Sequence, residues 1–431
     1  MSAELLEEKD RNLIVSSMAE NLIGSEIIQL AWHINDKIAK GQKIFNLTIG
    51  DFDPKIFPIP KELTQEIKKA YDDNQTNYPP ANGTFELRQV VSDYMHTRGC
   101  LDYSPEEILI TSGARPIIFA IYNTIVDLDE VVIFPVPSWN NNHYAHLTRS
   151  RVITVETKPE NNFMPSAEDL EPHIREATLI SLCSPLNPTG TVFTEEEIHG
   201  ICDLIVEENN RRGENEKPVY VLYDQIYWQL TLGDTKHYNP VVLNPAMRDY
   251  TIFVDGISKV FAATGVRVGW GYGPKKIIEK MKSITSHMGA WAPKAEQVAV
   301  AKFLANDKAV NSYLASFRTE ILNRVNSFYE KFKKLKSEGY NVDVIEPQAS
   351  IFLTVKIDLI GMKKPDGTVI KKVRDITEFL IEDAKMALVP FSSFGSPADS
   401  TWYRISVGTC TVEQIDEIMN NFRTALSKLR K

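Results

Sequence analysis

TIFVDGISKVFAATGVRVGWGYGP, Thr251 to Pro274, contains both a piece of scaffold and a piece of chemistry. The apolar run Thr251–Val254 leads into small residues around one lysine, Lys259. Arg267 follows, and a second apolar run, Val268–Tyr272, comes straight after. Short apolar runs punctuated by glycine read as strands buried on both faces. A lysine where such a strand opens into a Gly/Ser/Ala loop beside an arginine is placed to lose hydration. Its pKa then falls, which is the condition for an amine that captures a carbonyl. The bland alternative is an ordinary solvated lysine.

Working outward, apolar runs alternate with helix-like segments from about Glu106 to Gly273. Ahead of the quoted stretch these are Ile108–Thr111, Val131–Phe134, Val152–Val155, Leu179–Cys183 and Val219–Tyr223. Between them lies helical spacing such as Glu195–Asn209, with Thr194 as N-cap. This alternation predicts an α/β fold: a large domain whose mostly parallel, seven-stranded sheet is sandwiched by helices. Ligands of such sheets bind outside the carboxyl ends of the strands. Downstream, Val310, Leu314, Phe317, Ile321, Val325, Phe328, Phe332 and Leu335 recur at three and four, and Gly339 stops that helix. The runs Ile351–Val355 and Arg404–Val407, with an amphipathic helix from about Thr411, predict a smaller α+β domain. The helical stretch Ile27–Lys40 precedes the sheet and is expected to pack with that domain. The expected division is 51–309 for the large domain and 1–50 with 310–431 for the small one.

Composition narrows the function classes. The chain has 431 residues, 43% hydrophobic and 24% charged, and a formal net charge of −9. That argues against a dedicated nucleic-acid surface, while small anions need only local positive charge. Lys331–Lys336 reads as the wet face of a helix. Cys100, Cys183, Cys202 and Cys410 are scattered without C-x-x-C spacing, so neither a disulfide frame nor a zinc site is expected. The acidic start MSAELLEEKDRN is no signal peptide, and no apolar run approaches the ~18 residues of a membrane span. The expectation is a soluble cytoplasmic protein.

Several strand ends carry chemistry, each with a plainer alternative. Ser112-Gly113-Ala114 lies between a strand and an apolar-periodic helix, either as a phosphate cradle or as a tight turn. Asn187, in SLCSPLNPTG, either offers an amide to a ligand oxygen or caps its own loop. Asp224 ends a fully apolar strand, where a carboxylate needs a partner such as a protonated ring nitrogen, or else caps the next helix. Tyr227 can share its pocket. Trp139 reads as a stacking ring or a core residue. Tyr78, in NYPPANG, reads as a surface or interface tyrosine. Arg404 suits bidentate capture of a carboxylate, or serves a structural ion pair. A phosphate cradle, a carboxylate for a pyridinium, donors for a phenolic oxygen, a stacking ring, a lysine and a carboxylate clamp are the parts that pyridoxal phosphate needs to act on an amino acid.

In order along nearly the whole chain stand LTIGDFDP (47–54), YPPANGTFELR (78–88), TSGAR (111–115), PSW (137–139), NPTG (187–190), YDQIY (223–227), SKVFAATGVRVGW (258–270), VPFSSFG (389–395) and YRISVG (403–408). With these motifs the chain resembles the class I/II (fold type I) pyridoxal-phosphate-dependent aminotransferases, bacterial aspartate aminotransferases among them. The resemblance implies that Lys259 forms the imine with the cofactor and then serves as acid and base, while Asp224 keeps the ring nitrogen protonated. It implies that Asn187 and Tyr227 bind O3′, that Trp139 stacks on the ring, and that Ser112, Gly113, Ala114, Ser258 and Arg267 surround the phosphate. It further implies that Tyr78 reaches the phosphate site of a neighbouring subunit in a homodimer with shared active sites. Arg404 and Gly50 would receive the substrate α-carboxylate.

For substrate choice, the resemblance assigns Arg115, helped by Ser25, to the distal carboxylate of aspartate or glutamate, with 2-oxoglutarate or oxaloacetate as acceptor. A solvated arginine in the first helical turn is the alternative. Aromatic and alanine aminotransferases and carbon–sulfur lyases share the scaffold. A cofactor-sensing regulator is disfavoured because only about twenty residues precede the match. Three departures stand out. Phe391 replaces a usual glycine and is expected to narrow the pocket. The loop around Trp291 lacks the hydroxyls of aspartate enzymes. Gly256 stands where some relatives have a phosphate-binding serine, for which Ser258 compensates.

Overall fold

The computed structural model describes residues 15–22, 24 and 26–431. Its strands are β1 (Phe45–Asn46), β2 (Ile108–Thr111), β3 (Val131–Val136), β4 (Arg151–Glu156), β5 (Ala177–Cys183), β6 (Tyr220–Asp224), β7 (Thr251–Gly256) and β8 (Gly269–Tyr272). After these come β9 (Val342–Val344), β10 (Phe352–Ile357), β11 (Met386–Ala387), β12 (Val389–Pro390) and β13 (Trp402–Ser406). All seven expected runs of the first part are strands, with ends moved by at most two residues.

They form one sheet in the order β2-β8-β7-β6-β5-β3-β4. Neighbours pair in parallel except at β8, which is antiparallel to both β2 and β7. β2, β3, β7 and β8 are buried at every position, as a sheet covered on both faces requires, whereas edge strand β4 is largely exposed. One covering helix starts at the expected capping signal. Glu195–Arg212 begins at Thr194, whose hydroxyl accepts from the Glu197 amide at 3.2 Å while the Glu197 carboxylate accepts the Thr194 amide at 2.7 Å.

A second sheet, β12-β13-β10-β9, is antiparallel and packs on the long helix Asp307–Ser337. The early residues join this part of the molecule, because β1 pairs in parallel with β11. Ile34 and Ile44 pack with Ile381 and Ala387, and Lys37 Nζ lies 2.6 Å from the Glu382 carboxylate. Among the described residues, no helix is long and apolar enough to cross a membrane.

Candidate active site

Strand direction decides what gathers at the sheet's edge. The parallel strands end side by side: β5 runs on to Asn187, β6 ends in Asp224, β7 leads into Lys259 and β3 runs on to Trp139. β8 runs the other way, so its beginning, not its end, reaches this edge; Gly269 lies opposite both Gly256 and Thr111. Arg267, just before β8, is thereby delivered to the start of the helix Ala114–Ile125. Its Nη2 donates to the Ser112 carbonyl at 2.8 Å and its Nη1 to the Thr264 carbonyl at 2.5 Å. No side chain caps that helix, whose first N–H groups are left for an anion. Gly113 is required there. Its φ is +88°, and a Cβ would meet Arg267 Nη2 at 2.2 Å.

Trp139, Asn187, Asp224, Lys259 and Arg267 line one cavity of about 640 Å³. At its centre, Lys259 Nζ donates to the Gly50 carbonyl at 2.6 Å. Burial lowers the Lys259 pKa to about 8; Asp51 opposes this, while Arg404, Arg115 and Arg267 reinforce it. Asp224 keeps only its own turn as partner, accepting from the Ile226 amide at 3.0 Å. Burial raises its pKa to about 6, against the Ile226 amide and the Lys259 charge.

Arg404 is 2% exposed and has no carboxylate within ion-pair distance among the described residues. Nη1 donates to the Asn187 side-chain oxygen at 2.8 Å and Nη2 to the Thr48 carbonyl at 2.6 Å, while buried Nε has no partner. Phe352 and Phe394 sandwich the guanidinium, with ring centroids at 4.5 and 5.0 Å. Burial brings its pKa down to about 10. Arg404 thus lines the cavity as a buried charge with no acid partner among the described residues, a costly arrangement.

The cavity brings together Gly50, Ala114, Arg115, Trp139, Asn187, Asp224, Tyr227, Ser258, Lys259, Arg267 and Arg404. Ser112 and Gly113 stand behind Arg267 rather than on the wall. Tyr78 lies apart, 83% exposed, with its ring edge-on to Trp291 at 5.5 Å. Ser25 is outside the described residues.

Several plainer alternatives fail. Asp224 caps a turn, and no helix follows it. Asn187 spends its oxygen on Arg404 rather than on its own loop. Among the described residues Arg404 has no ion pair. Arg115, by contrast, is exposed in the first helical turn, as its plainer alternative has it, with its guanidinium over the Trp139 ring at 4.8 Å. One expectation is overturned: Phe391 does not narrow the cavity. It is fully buried against Phe163, ring centroids 5.2 Å apart, outside the lining. Gly256 has no room to be serine, since a Cβ would meet the Gly269 Cα at 2.8 Å. Sequence reasoning passed over Asp51, Ser138, Asn141 and the apolar wall Ile27, Ile28 and Ala31. Asp51 was open to notice, two residues before Asp53 in LTIGDFDP. The isoleucines look like any amphipathic helix.

A model of the class I and II aminotransferases matches residues 42–422. The chain belongs to this family. It is an aminotransferase, and the matched span contains every candidate site residue of the sequence analysis except Ser25. It is 26% identical over 392 residues to an aspartate aminotransferase of Bacillus subtilis, covering 90% of this chain and 93% of that one. A probable N-acetyl-LL-diaminopimelate aminotransferase of Bacillus subtilis is 30% identical over 399 residues, 91% of this chain and 92% of that one. In fold, the aminotransferase matches the solved aspartate aminotransferase of Thermus thermophilus with maleate, with a TM-score of 0.84 at 24% identity, covering 96% and 99% of the two chains.

Proposed function

We propose that this aminotransferase uses pyridoxal phosphate to exchange the amino group of aspartate or glutamate with 2-oxoglutarate or oxaloacetate. The observation that carries the reading is the buried Arg404, without an acid partner, in one cavity with a desolvated Lys259. The residues suit the cofactor. Among the described residues, Asp224 has an oxygen to spare for a ring N–H, the Asn187 amide nitrogen has no hydrogen-bond partner, and Gly113 leaves the Arg267 guanidinium the room that a Cβ would take. When bound, the cofactor supplies an electron-accepting ring that makes the substrate Cα proton acidic.

The chain's own residues do the rest. The Lys259 amine, neutral above a pH of about 8, takes and returns that proton. Asp224 holds the proton on the ring nitrogen, and Asn187 and Tyr227 orient the phenolic oxygen. Trp139 covers one ring face. Ser258, Arg267 and the Ser112–Ala114 helix start bind the phosphate, while Arg404 and Gly50 fix the α-carboxylate. Arg115, held over Trp139, meets the distal carboxylate, and Ser25 assists it. Residues 51–309 form the cofactor-binding domain, and 310–431 with the residues before 51 form the smaller one. Tyr78, turned outward, serves the neighbouring copy in a cytoplasmic homodimer; four free cysteines agree with that compartment. The aspartate relatives support the substrate. The apolar wall Ile27, Ile28 and Ala31 supports an aromatic side chain as the second choice.

The test mixes cofactor-loaded protein with single amino acids and follows loss of its visible band. Fast loss with aspartate or glutamate supports the reading. Fast loss only with aromatic or small neutral amino acids overturns the substrate. A protein that stays colourless with excess cofactor overturns the whole.

A further inference from the structure

Behind the cavity floor lies a second buried carboxyl that none of the chemistry above uses. Asp255 sits in β7, four residues before Lys259, and is 1% exposed. Trp228 Nε1 donates to its Oδ2 at 2.9 Å, and the Gly256 amide donates to its Oδ1 at 2.7 Å. Among the described residues no lysine or arginine lies within ion-pair distance of it.

The two donors come from the two segments whose relative placement the reaction needs. Trp228 directly follows Tyr227 and closes the turn that starts at Asp224; its backbone N–H donates to the Gln225 carbonyl at 2.9 Å. Gly256 opens the segment that carries Lys259. The surroundings tighten the same joint. The Gln225 amide donates to the Tyr272 hydroxyl at 2.8 Å, and His237 Nε2 lies 3.4 Å from Gln225 Oε1. Burial pushes the Asp255 carboxyl up to about 8, and the Asp224 charge adds to it, while the Gly256 and Trp228 donors pull it down. A buried carboxyl is a costly way to satisfy one indole N–H. What it offers beyond an amide, once ionised, is an acceptor at both oxygens.

We propose that Asp255 is a positioning residue, one carboxyl accepting from Trp228 and Gly256 at once so that the Asp224–Tyr227 turn is fixed against the Lys259 segment. The inference rests on the roles given above to Asp224 and Lys259.

Two readouts test it. In cofactor-free protein, the pH midpoint of Lys259 acylation is followed by peptide mass spectrometry, and pyridoxal phosphate affinity is measured by titration. Asp255→Asn keeps the shape but surrenders one acceptor. Loosening the joint admits water to the amine, so the midpoint rises by about one pH unit. Cofactor affinity falls about tenfold, as it does when partners that orient ligand groups are removed. Trp228→Phe opens the same bridge from the other side, so it reproduces the effect, and it carries the test if Asp255→Asn does not fold. The double variant is no worse than Asp255→Asn alone. Tyr94→Phe is the control, losing a buried bond from Gln229 (2.6 Å) outside the bridge, and it leaves both readouts in place. If Asp255→Asn or Trp228→Phe lowers the melting temperature yet keeps the wild-type midpoint and affinity, Asp255 is structural only and the proposal fails. If wild type itself binds no pyridoxal phosphate, the functional reading fails, while the acylation midpoints still judge the bridge.

Discussion

The two ends of the cavity are built by different means. The inner end is made of residues at or just past the ends of the large sheet's strands, together with Arg404 from the middle of β13. Arg404 is buried and Lys259 and Asp224 are partly buried, all three bond to backbone groups, and their pKa values are displaced by desolvation. The outer end is made of a surface helix and a guanidinium lying on an indole. In the helix Glu26–Ala39, Ile28 is 42% and Trp32 69% exposed, and Arg115 is open to solvent. Charge held out of water costs stability whatever it does for chemistry, whereas an exposed contact costs little and changes cheaply. On the proposed function the inner end is where the reaction is set and the outer end where the substrate is chosen.

Replacing Lys259 breaks this contrast most severely. Lys259→Ala should lower the transamination rate by at least ~10³-fold, the upper range for a positioned acid–base group. The same change should stabilise the cofactor-free protein at pH 7. The sign follows from linkage. The folded-state pKa of about 8 lies below the ordinary 10.5, so the unfolded chain binds more protons between them. Wild-type stability therefore rises with pH across that window, and below it the full penalty of the buried ammonium is present. A thermal melt at pH 7 that drops in Lys259→Ala would contradict the account of the inner end.

Asp224→Asn comes next, with a rate loss of roughly 10²-fold from removing a fixed charge opposite the ring. Here the pKa moves the other way, from 3.8 up to about 6, so the folded state binds more protons in between. Wild-type stability of the cofactor-free protein should fall as pH rises from 3.8 to 6, and Asp224→Asn should flatten that fall. At pH 7 the variant should be the more stable by up to ~3 kcal/mol, the pKa change expressed as free energy. Identical pH–stability curves for the two proteins would show that the carboxyl is not desolvated.

Gly113→Ala probes the cradle without removing a charge. Its Cβ would arrive 2.2 Å from Arg267 Nη2, so the guanidinium must leave its bond to the Ser112 carbonyl. Pyridoxal phosphate should bind about tenfold more weakly, the equivalent of one charge-assisted hydrogen bond. Unchanged affinity in an equilibrium titration would remove Arg267 from the phosphate site.

How far each end could be read from sequence follows the same division. The inner end was readable because strand periodicity is strong and its functional groups stand at strand termini: Asp224 after YVLY, Lys259 after TIFV, Asn187 beyond LISLC. Arg267 was readable as a residue but not as a place, since only the reversed direction of β8 explains how it reaches Ser112. Asp255 lay in plain view in the most informative stretch, but its partner Trp228 belongs to another strand's turn, and a buried bridge has no local pattern. At the outer end the signals were ordinary. Ile27, Ile28 and Ala31 have the spacing of any amphipathic helix, and Phe391 was misjudged because a substitution within a motif says nothing about which way the ring turns.

The smallest effect is expected at that outer end, and it is the sharpest test of the division. Among the described residues Arg115 makes no side-chain hydrogen bond or ion pair and lies over the Trp139 ring, so Arg115→Ala should change folding stability by no more than ~0.5 kcal/mol. Its kcat for a good substrate should stay near wild type, because the group meets the substrate far from the Cα proton. The KM for aspartate should rise about tenfold, the loss of one charge-assisted contact, with the KM for alanine unmoved. Equal increases for both amino acids would mean that Arg115 acts by holding Trp139 in place. The outer end would then be part of the cofactor site, and the division drawn here would fall.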